Sequence, residues 1–293
     1  MLTLITGNGK AGSYKIRAEQ LGAAIGAEIC PNAGKRDIAD ADLVIVVKRT
    51  PDSVITHLRD LGKPWVWDVV DAWPQPAGND WVRSDAITWL RGTLDYLKPN
   101  GVVFPTQTML HEAQFAGRVL CLPHHARPGL AAGEPRERVS AVVYEGAENY
   151  LGRWRGIVEK ACAARGWRFL INPADIREGD IGLALRDVTG WPGSAWKSNV
   201  KLANIQAAGL PFVGSRERGY METGNGTESY VDTEADLCAA FDRLSSYAVR
   251  RMIHAEQVKC APRLETLSTN YAAWLEGFSS FAVRRSQNVR ESA

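Results

Sequence analysis

"LITGNGKAGSYKIRAEQLG", residues 4–22, decides how the chain is read. An apolar strand over 2–6 runs into Gly7-x-Gly9-x-x-Gly12, and the following segment puts Tyr14, Ala18, Leu21 and Ile25 on one helical face. Strand, glycine turn and helix in that order open a βαβ unit, and the glycine spacing is that of a dinucleotide fingerprint. A nicotinamide site also needs an acidic residue at the end of the second strand, where it holds the ribose hydroxyls. That strand falls on 27–30 and ends in Pro31-Asn32, with Glu28 inside it, so the acid is missing from its expected place. The stretch therefore predicts an α/β start. An NAD-dependent oxidoreductase is the alternative that its glycines leave open.

The same alternation continues outward. Strands are expected at 42–47, 65–70, 102–105 and 119–122, with helices at 53–61 and 87–97. "ARPGLAAGEPRERV", 126–139, is rich in Pro, Gly and charge and reads as a linker. Beyond it come strands at 141–144, 167–171, 181–185 and 211–214, helices ending near Ala164 and spanning 200–208, and a helix opened by the capping pair Thr233-x-x-Asp236. A last helix begins near Arg263 with Leu264, Leu267, Tyr271 and Trp274 inward. The expectation is α/β with two Rossmann-like doubly wound domains, 1–134 and 135–278, the tail 279–293 packing back on the first.

Composition narrows the class. With 293 residues, 45% hydrophobic and 23% charged, the chain suits two soluble domains, and a net charge of +2 creates no global field demanding nucleic acid or membrane. Cys30, Cys121, Cys162, Cys238 and Cys260 are odd in number, scattered and without a C-x-x-C pair, which argues against disulfide or zinc frameworks. The first six residues lack the basic and apolar regions of a signal peptide, and no apolar run spans a membrane, so a cytoplasmic protein is expected.

"GDIGLALRDVTGWPGSAWKSNVKLANIQAAGLPFVGSRERGYMETGNG", 179–226, resembles the donor-sugar half of GT-B glycosyltransferases. The likeness is ordered: a strand ending in Arg186, Lys201-Leu202 opening a helix, the turn Ala207-Ala208-Gly209-x-Pro211, then Gly219 to Glu222. "YKIRAEQLG" (14–22), "ADLVIVVKR" (41–49) and "GKPWVWDVVDAW" (62–73) look more loosely like the acceptor half, whose members often carry a D-x-x-D pair, here Asp68 and Asp71. The resemblance implies two such domains facing across a cleft, a nucleoside diphosphate sugar as donor with UDP-sugar favoured, and no metal or other cofactor. It places Gly7, Gly9 and Gly12 on the acceptor-side loop bordering the cleft, where the donor's phosphates come near. One departure counts against a retaining mechanism: the Glu-x7-Glu pair of many retaining members is replaced by Trp196 and Asn204.

Glycosyl transfer makes the leaving diphosphate more negative, so the site must aim positive charge at it. Arg186, Lys197 and Lys201 are the candidates; Lys201 at a helix start is unfavourable unless an anion binds there. Asn204 is assigned to the ribose, and Gly146, in Tyr144-Glu145-Gly146 at a strand end, and Glu222 to the sugar side. An inverting reaction needs a base for the acceptor proton. Asp71 is the first choice, with Asp68, His124 and His125, the last two in "LPHH" (122–125), as the other candidates on the first domain. Trp73 and Trp81 in "AWPQPAGNDW" (72–81) are placed to stack on a sugar or a flipped base, and Lys48, Arg49, Arg83, Arg91, Arg284, Arg285 and Arg290 to touch phosphates. The acceptor is thus a glycan, a small molecule or a modified DNA base. The rival class is a nucleotide-sugar binding protein that has lost catalysis.

Overall fold

The computed structural model describes residues 1–49, 51–71, 80–187 and 189–278. Trp73 and the tail arginines Arg284, Arg285 and Arg290 lie outside the described residues, as does the packing expected of the tail. The chain divides into two compact units, Met1–Pro123 joined by residues 263–278, and His124–Pro262. Among the described residues no helix is long and apolar enough to cross a membrane.

The first unit is built on a parallel sheet of β1 (Thr3–Gly7), β2 (Glu28–Ile29), β3 (Leu43–Val47), β4 (Trp65–Asp68), β5 (Gly101–Phe104) and β6 (Arg118–Cys121), in the order β2-β1-β3-β4-β5-β6. The run Leu43-Val44-Ile45-Val46-Val47 is buried throughout, because parallel strands covered on both faces lose the polar alternation of half-exposed ones. The covering helices are α1 (Gly12–Tyr14), α2 (Lys35–Asp40), α3 (Asp52–Leu61), α4 (Arg83–Leu97) and α5 (Gln107–Ala113). From α1 the chain continues as Lys15–Gly22, wound as a wider π-type helix where an α-helix was expected, and this buries Arg17, Ala18, Leu21 and Gly22.

The second unit repeats the plan with β7 (Ala141–Tyr144), β8 (Arg168–Ile171), β9 (Ile181–Ala184), β10 (Phe212–Gly214) and β11 (Ser229–Tyr230), all parallel, in the order β11-β10-β9-β7-β8. Its helices are α6 (Trp154–Ala163), α7 (Trp191–Ala195), α8 (Val200–Ala207), α9 (Arg218–Thr223), α10 (Glu234–Ser245) and α11 (Tyr247–Cys260). The expected capping pair is present: the Thr233 hydroxyl accepts from the Asp236 N–H at 3.1 Å, and the Asp236 carboxylate accepts from the Thr233 N–H at 3.0 Å. In both sheets the strand order reverses beside the unit's first strand, at β1/β3 and at β7/β9. Such a switch point opens a crevice at the carboxyl ends of the strands, where ligands of open α/β sheets bind.

Two expected boundaries move. Helix α12 (Leu264–Glu276), assigned by sequence to the second domain, belongs to the first unit, where Leu267, Tyr271, Leu275 and Phe278 join Ile5, Val66 and Val103 in one apolar core. The stretch 126–139 belongs to the second unit. Its Arg136 meets Asp180 at 2.8 Å, the Gly133 N–H donates to the Ala208 carbonyl at 3.3 Å, and the Ala126 N–H donates to the Pro262 carbonyl at 2.8 Å. Pro and Gly there shape a packed crossing, tied down by a carboxylate 44 residues away in sequence.

Asp68 is part of this scaffold. It is 1% exposed and its Oδ2 lies 3.6 Å from Arg17 Nε, while Oδ1 accepts from the Val70 N–H at 3.2 Å. The Arg17 guanidinium in turn donates to the Leu122 carbonyl at 2.5 Å and the Pro123 carbonyl at 3.4 Å. Burial pushes the Asp68 carboxyl above its ordinary pKa, opposed by the Arg17 charge. Asp68 is thus a buried carboxyl engaged in the scaffold, not exposed at the strand ends. Asp68→Ala strands the Arg17 charge and is expected to lower unfolding free energy by about 3–5 kcal/mol, read from urea denaturation.

Candidate functional site at the strand ends of the second unit

The chain past β9 and β10 places Arg186 and Glu217 side by side, because the two strands pair in register, Leu183 with Val213 and Ala184 with Gly214. Arg186 Nε donates to Glu217 Oε1 at 2.9 Å with the side chains 9% and 4% exposed, and the Arg186 N–H donates to Ser215 Oγ at 3.0 Å. The Arg186 guanidinium also lies 5.0 Å from the Tyr150 ring centroid. Lys201, in the first turn of α8, brings its ammonium to 3.9 Å from the Tyr144 ring centroid, and its Nζ is buried without a hydrogen-bond partner among the described residues. Burial, with the Arg186 and Lys197 charges adding to it, lowers Lys201 to about 7, while Glu217 and Glu145 oppose the shift. Burial raises the Glu217 carboxyl, opposed by Arg186, Lys201 and Lys197. Lys197 is held at this cluster by backbone contact: a Cβ on Gly219 would lie 2.2 Å from the Lys197 carbonyl oxygen, so only glycine lets α9 press against residues 197–199.

The sequence candidates divide around this cluster. Arg186, Lys197 and Lys201 converge. Glu222 lies exposed on α9, and the carboxylate at the centre is Glu217, which sequence reading missed. Its signal was a lone Glu between Arg216 and Arg218 directly after a buried strand. Asn204 is engaged by the protein: its Oδ1 accepts from the Arg127 N–H at 2.9 Å and its Nδ2 donates to Glu145 Oε2 at 3.3 Å. Gly146 contributes room, since with φ +142° its missing Cβ would sit 3.0 Å from Lys201 Nζ. Its N–H donates to Asn172 Oδ1 at 2.8 Å and its carbonyl accepts from Asn172 Nδ2 at 2.9 Å, so that amide is committed within the loop.

His124 and His125 belong to the second unit, contrary to the sequence expectation, and each is 2% exposed. The His124 N–H donates to Asn199 Oδ1 at 2.7 Å, and His125 Nδ1 lies 2.7 Å from the Ala126 carbonyl oxygen. On the first unit, Asp71 pairs with Lys48 Nζ at 2.6 Å at the ends of β4 and β3. Lys48 and the β-branched Val70 hold φ of +62° and +63°, strained backbone of the kind that clusters at ligand sites.

The glycine loop is filled from within. A Cβ on Gly7 would lie 3.0 Å from the Val47 carbonyl oxygen and one on Gly9 2.8 Å from Pro31 Cβ, whereas Gly12 faces nothing within 4 Å. In a dinucleotide fingerprint the third glycine allows close helix packing, which Gly12 does not do. Arg83 and Arg91, candidates for phosphate contacts, bind the Glu112 carboxylate at 2.7 Å and the Glu112 carbonyl at 3.0 Å, and Trp81 packs edge-on against Trp89 at 6.5 Å. No metal-ligating cluster of His, Cys, Asp and Glu occurs among the described residues.

No family model and no curated protein sequence matches the chain. Solved structures do. An α,α-trehalose-phosphate synthase (UDP-forming) from Burkholderia xenovorans, in complex with glucose-6-phosphate, aligns with TM-score 0.60 at 11% identity over 94% of this chain and 100% of its own. AviGT4, a glycosyltransferase involved in avilamycin A biosynthesis, gives 0.54 at 10% identity over 94% and 97%. The UDP-GlcNAc 2-epimerase of Neisseria meningitidis, bound to UDP-GlcNAc, gives 0.53 at 10% identity over 94% and 99%. The two Rossmann-like units therefore make a GT-B fold, as the sequence resemblance implied.

A buried ammonium with no partner is destabilising, and the cost depends on its protonation. Lys201 falls from 10.5 to about 7 on folding, so the unfolded chain binds the extra proton between those values and the penalty, full below pH 7, fades as pH rises toward 10.5. Lys201→Met is expected to raise stability by about 1–2 kcal/mol at pH 7, with the gap to wild type closing toward pH 10 in thermal melts.

Proposed function

We propose that the protein is a glycosyltransferase that moves a sugar from a nucleoside diphosphate sugar, UDP-sugar in the first instance, to a hydroxyl acceptor. The observation that carries the reading is the buried Arg186 and Lys201, with Lys197 beside them, at the β7/β9 switch point, where Lys201 Nζ has no hydrogen-bond acceptor among the described residues. Diphosphate oxygens would supply acceptors and take up the charge that develops as the anomeric bond breaks, at a place already arranged for it. Leaving-group stabilisation is thereby assigned to protein cations, without a metal ion. Asp71 is proposed as the base for the acceptor hydroxyl, on the strained strand ends of the first unit.

Binding of the diphosphate should hold Lys201 protonated, so association takes up a proton above pH 7. Titration calorimetry of UDP is expected to show affinity falling as pH rises from 7 to 9, with heats that vary with the buffer's ionisation enthalpy. Lys201→Met should weaken UDP at least tenfold and abolish the pH dependence. A UDP-GlcNAc 2-epimerase bound to UDP-GlcNAc shares the fold, so the turnover assay follows both free UDP and sugar isomers. Asp71→Asn is expected to cut transfer at least a hundredfold with UDP affinity unchanged. Nucleotide binding without turnover across glycan, small-molecule and hydroxymethylated-DNA acceptors would favour the non-catalytic reading, which the replacement of the Glu pair by Trp196 and Asn204 supports.

A further inference from the structure

We infer that Glu217 is the specificity-determining residue that accepts a hydrogen bond from a hydroxyl of the transferred sugar, an inference that rests on the nucleotide-sugar reading above. In the cluster of Arg186, Lys201, Glu217, Glu145 and Asn204, Glu145 has both oxygens engaged, Oε1 by Arg127 and Oε2 by Asn204. Glu217 gives Oε1 to Arg186, but its Oε2 is buried with no hydrogen-bond partner among the described residues. Lys201 Nζ is equally buried and unpaired, and the two groups lie close enough to shift one another's ionisation. One buried ammonium donor and one buried carboxylate oxygen are therefore left over among the described residues.

Buried polar atoms are nearly always satisfied, so these two describe the ligand. A bare diphosphate offers acceptors only. It would satisfy Lys201 and leave the Glu217 oxygen unpaired beside added negative charge. A diphosphate carrying a polyol supplies the phosphate oxygens and, within the same molecule, an O–H to donate to Glu217. The carboxylate is held for this: Glu217 directly precedes α9, and the contact of Gly219 with the Lys197 carbonyl leaves that turn no room to retreat. Glu222, exposed on α9, has no comparable setting.

The test is titration of wild type, Glu217→Gln and Lys201→Met with UDP and GDP, and with the glucose, galactose and N-acetylglucosamine conjugates of whichever nucleotide binds. Gln keeps a carbonyl for Arg186 but removes the charge. The expected result is opposite in sign for the two ligand types: bare nucleotide binds Glu217→Gln as well as or better than wild type, whereas the ratio of sugar-nucleotide to nucleotide affinity falls at least tenfold. Parallel losses for both ligands would make Glu217 a support for Arg186 only and overturn the inference while leaving the diphosphate site intact. If neither UDP nor GDP binds wild type, the underlying reading fails and the inference with it. A second measurement needs no variant: among singly deoxygenated analogues of the preferred sugar nucleotide, one is expected to bind wild type at least tenfold more weakly than the rest. Uniform affinity across them would overturn the proposal.

Discussion

The buried pair of Arg186 and Glu217 is the constraint on which the second unit's chemistry depends. Two parallel strands in register, β9 and β10, deliver the residues that follow them to adjacent positions, and Ser215 fixes the backbone between. Taking two such charges out of water is costly, and their mutual attraction only partly offsets it. Lys201 and Lys197 then add positive charge beyond what Glu217 and Glu145 neutralise. The fold holds this excess because the sheet, α8 and α9 determine where the side chains go, with Gly219 pressed on residues 197–199 as the tightest point of that assembly.

The first unit has the same strand-order reversal but a different character at its strand ends. There the charges are matched, Lys48 against Asp71, and the departure from ordinary structure is in the backbone at Lys48 and Val70. Three residues earlier in the same D-x-x-D pair, Asp68 points into the core and holds Arg17, which holds the last carbonyls of the unit before the chain leaves it. One carboxylate of the pair is spent on architecture and the other, largely buried, pairs with Lys48 past the strand ends. The alternation of a strand, which sends neighbouring side chains to opposite faces, does not by itself say which is which.

Much of the architecture was legible in short-range pattern. Apolar runs bounded by Gly and Pro marked most of the strands, and a lysine at the start of a helix marked Lys201, because a cation there contradicts the local dipole and needs a reason. What could not be read were pairings between distant positions: Arg17 with Asp68, Arg136 with Asp180, α12 with the sheet of the first unit. Each depends on three-dimensional proximity that no period in the sequence encodes. Glu217 was missed for a related reason. It lies in a loop, where there is no face to count along, and its partner Arg186 is separated from it by two helices and a strand.

The glycine loop shows the same lesson from the opposite side. Gly7-x-Gly9-x-x-Gly12 has the spacing of a cofactor motif, yet Gly7 is needed against Val47 and Tyr14, Gly9 against Pro31, and Gly12 against nothing. Identical spacing therefore arises from packing between a strand end and its neighbours. A phosphate site requires donors that the protein does not itself consume. In the second unit the Gly146 amide is consumed by Asn172, while no described residue takes a hydrogen bond from the Lys201 ammonium. Charge arranged in advance stabilises developing charge without reorganisation, and among the described residues the unspent donor is Lys201 in the second unit, away from the glycine spacing.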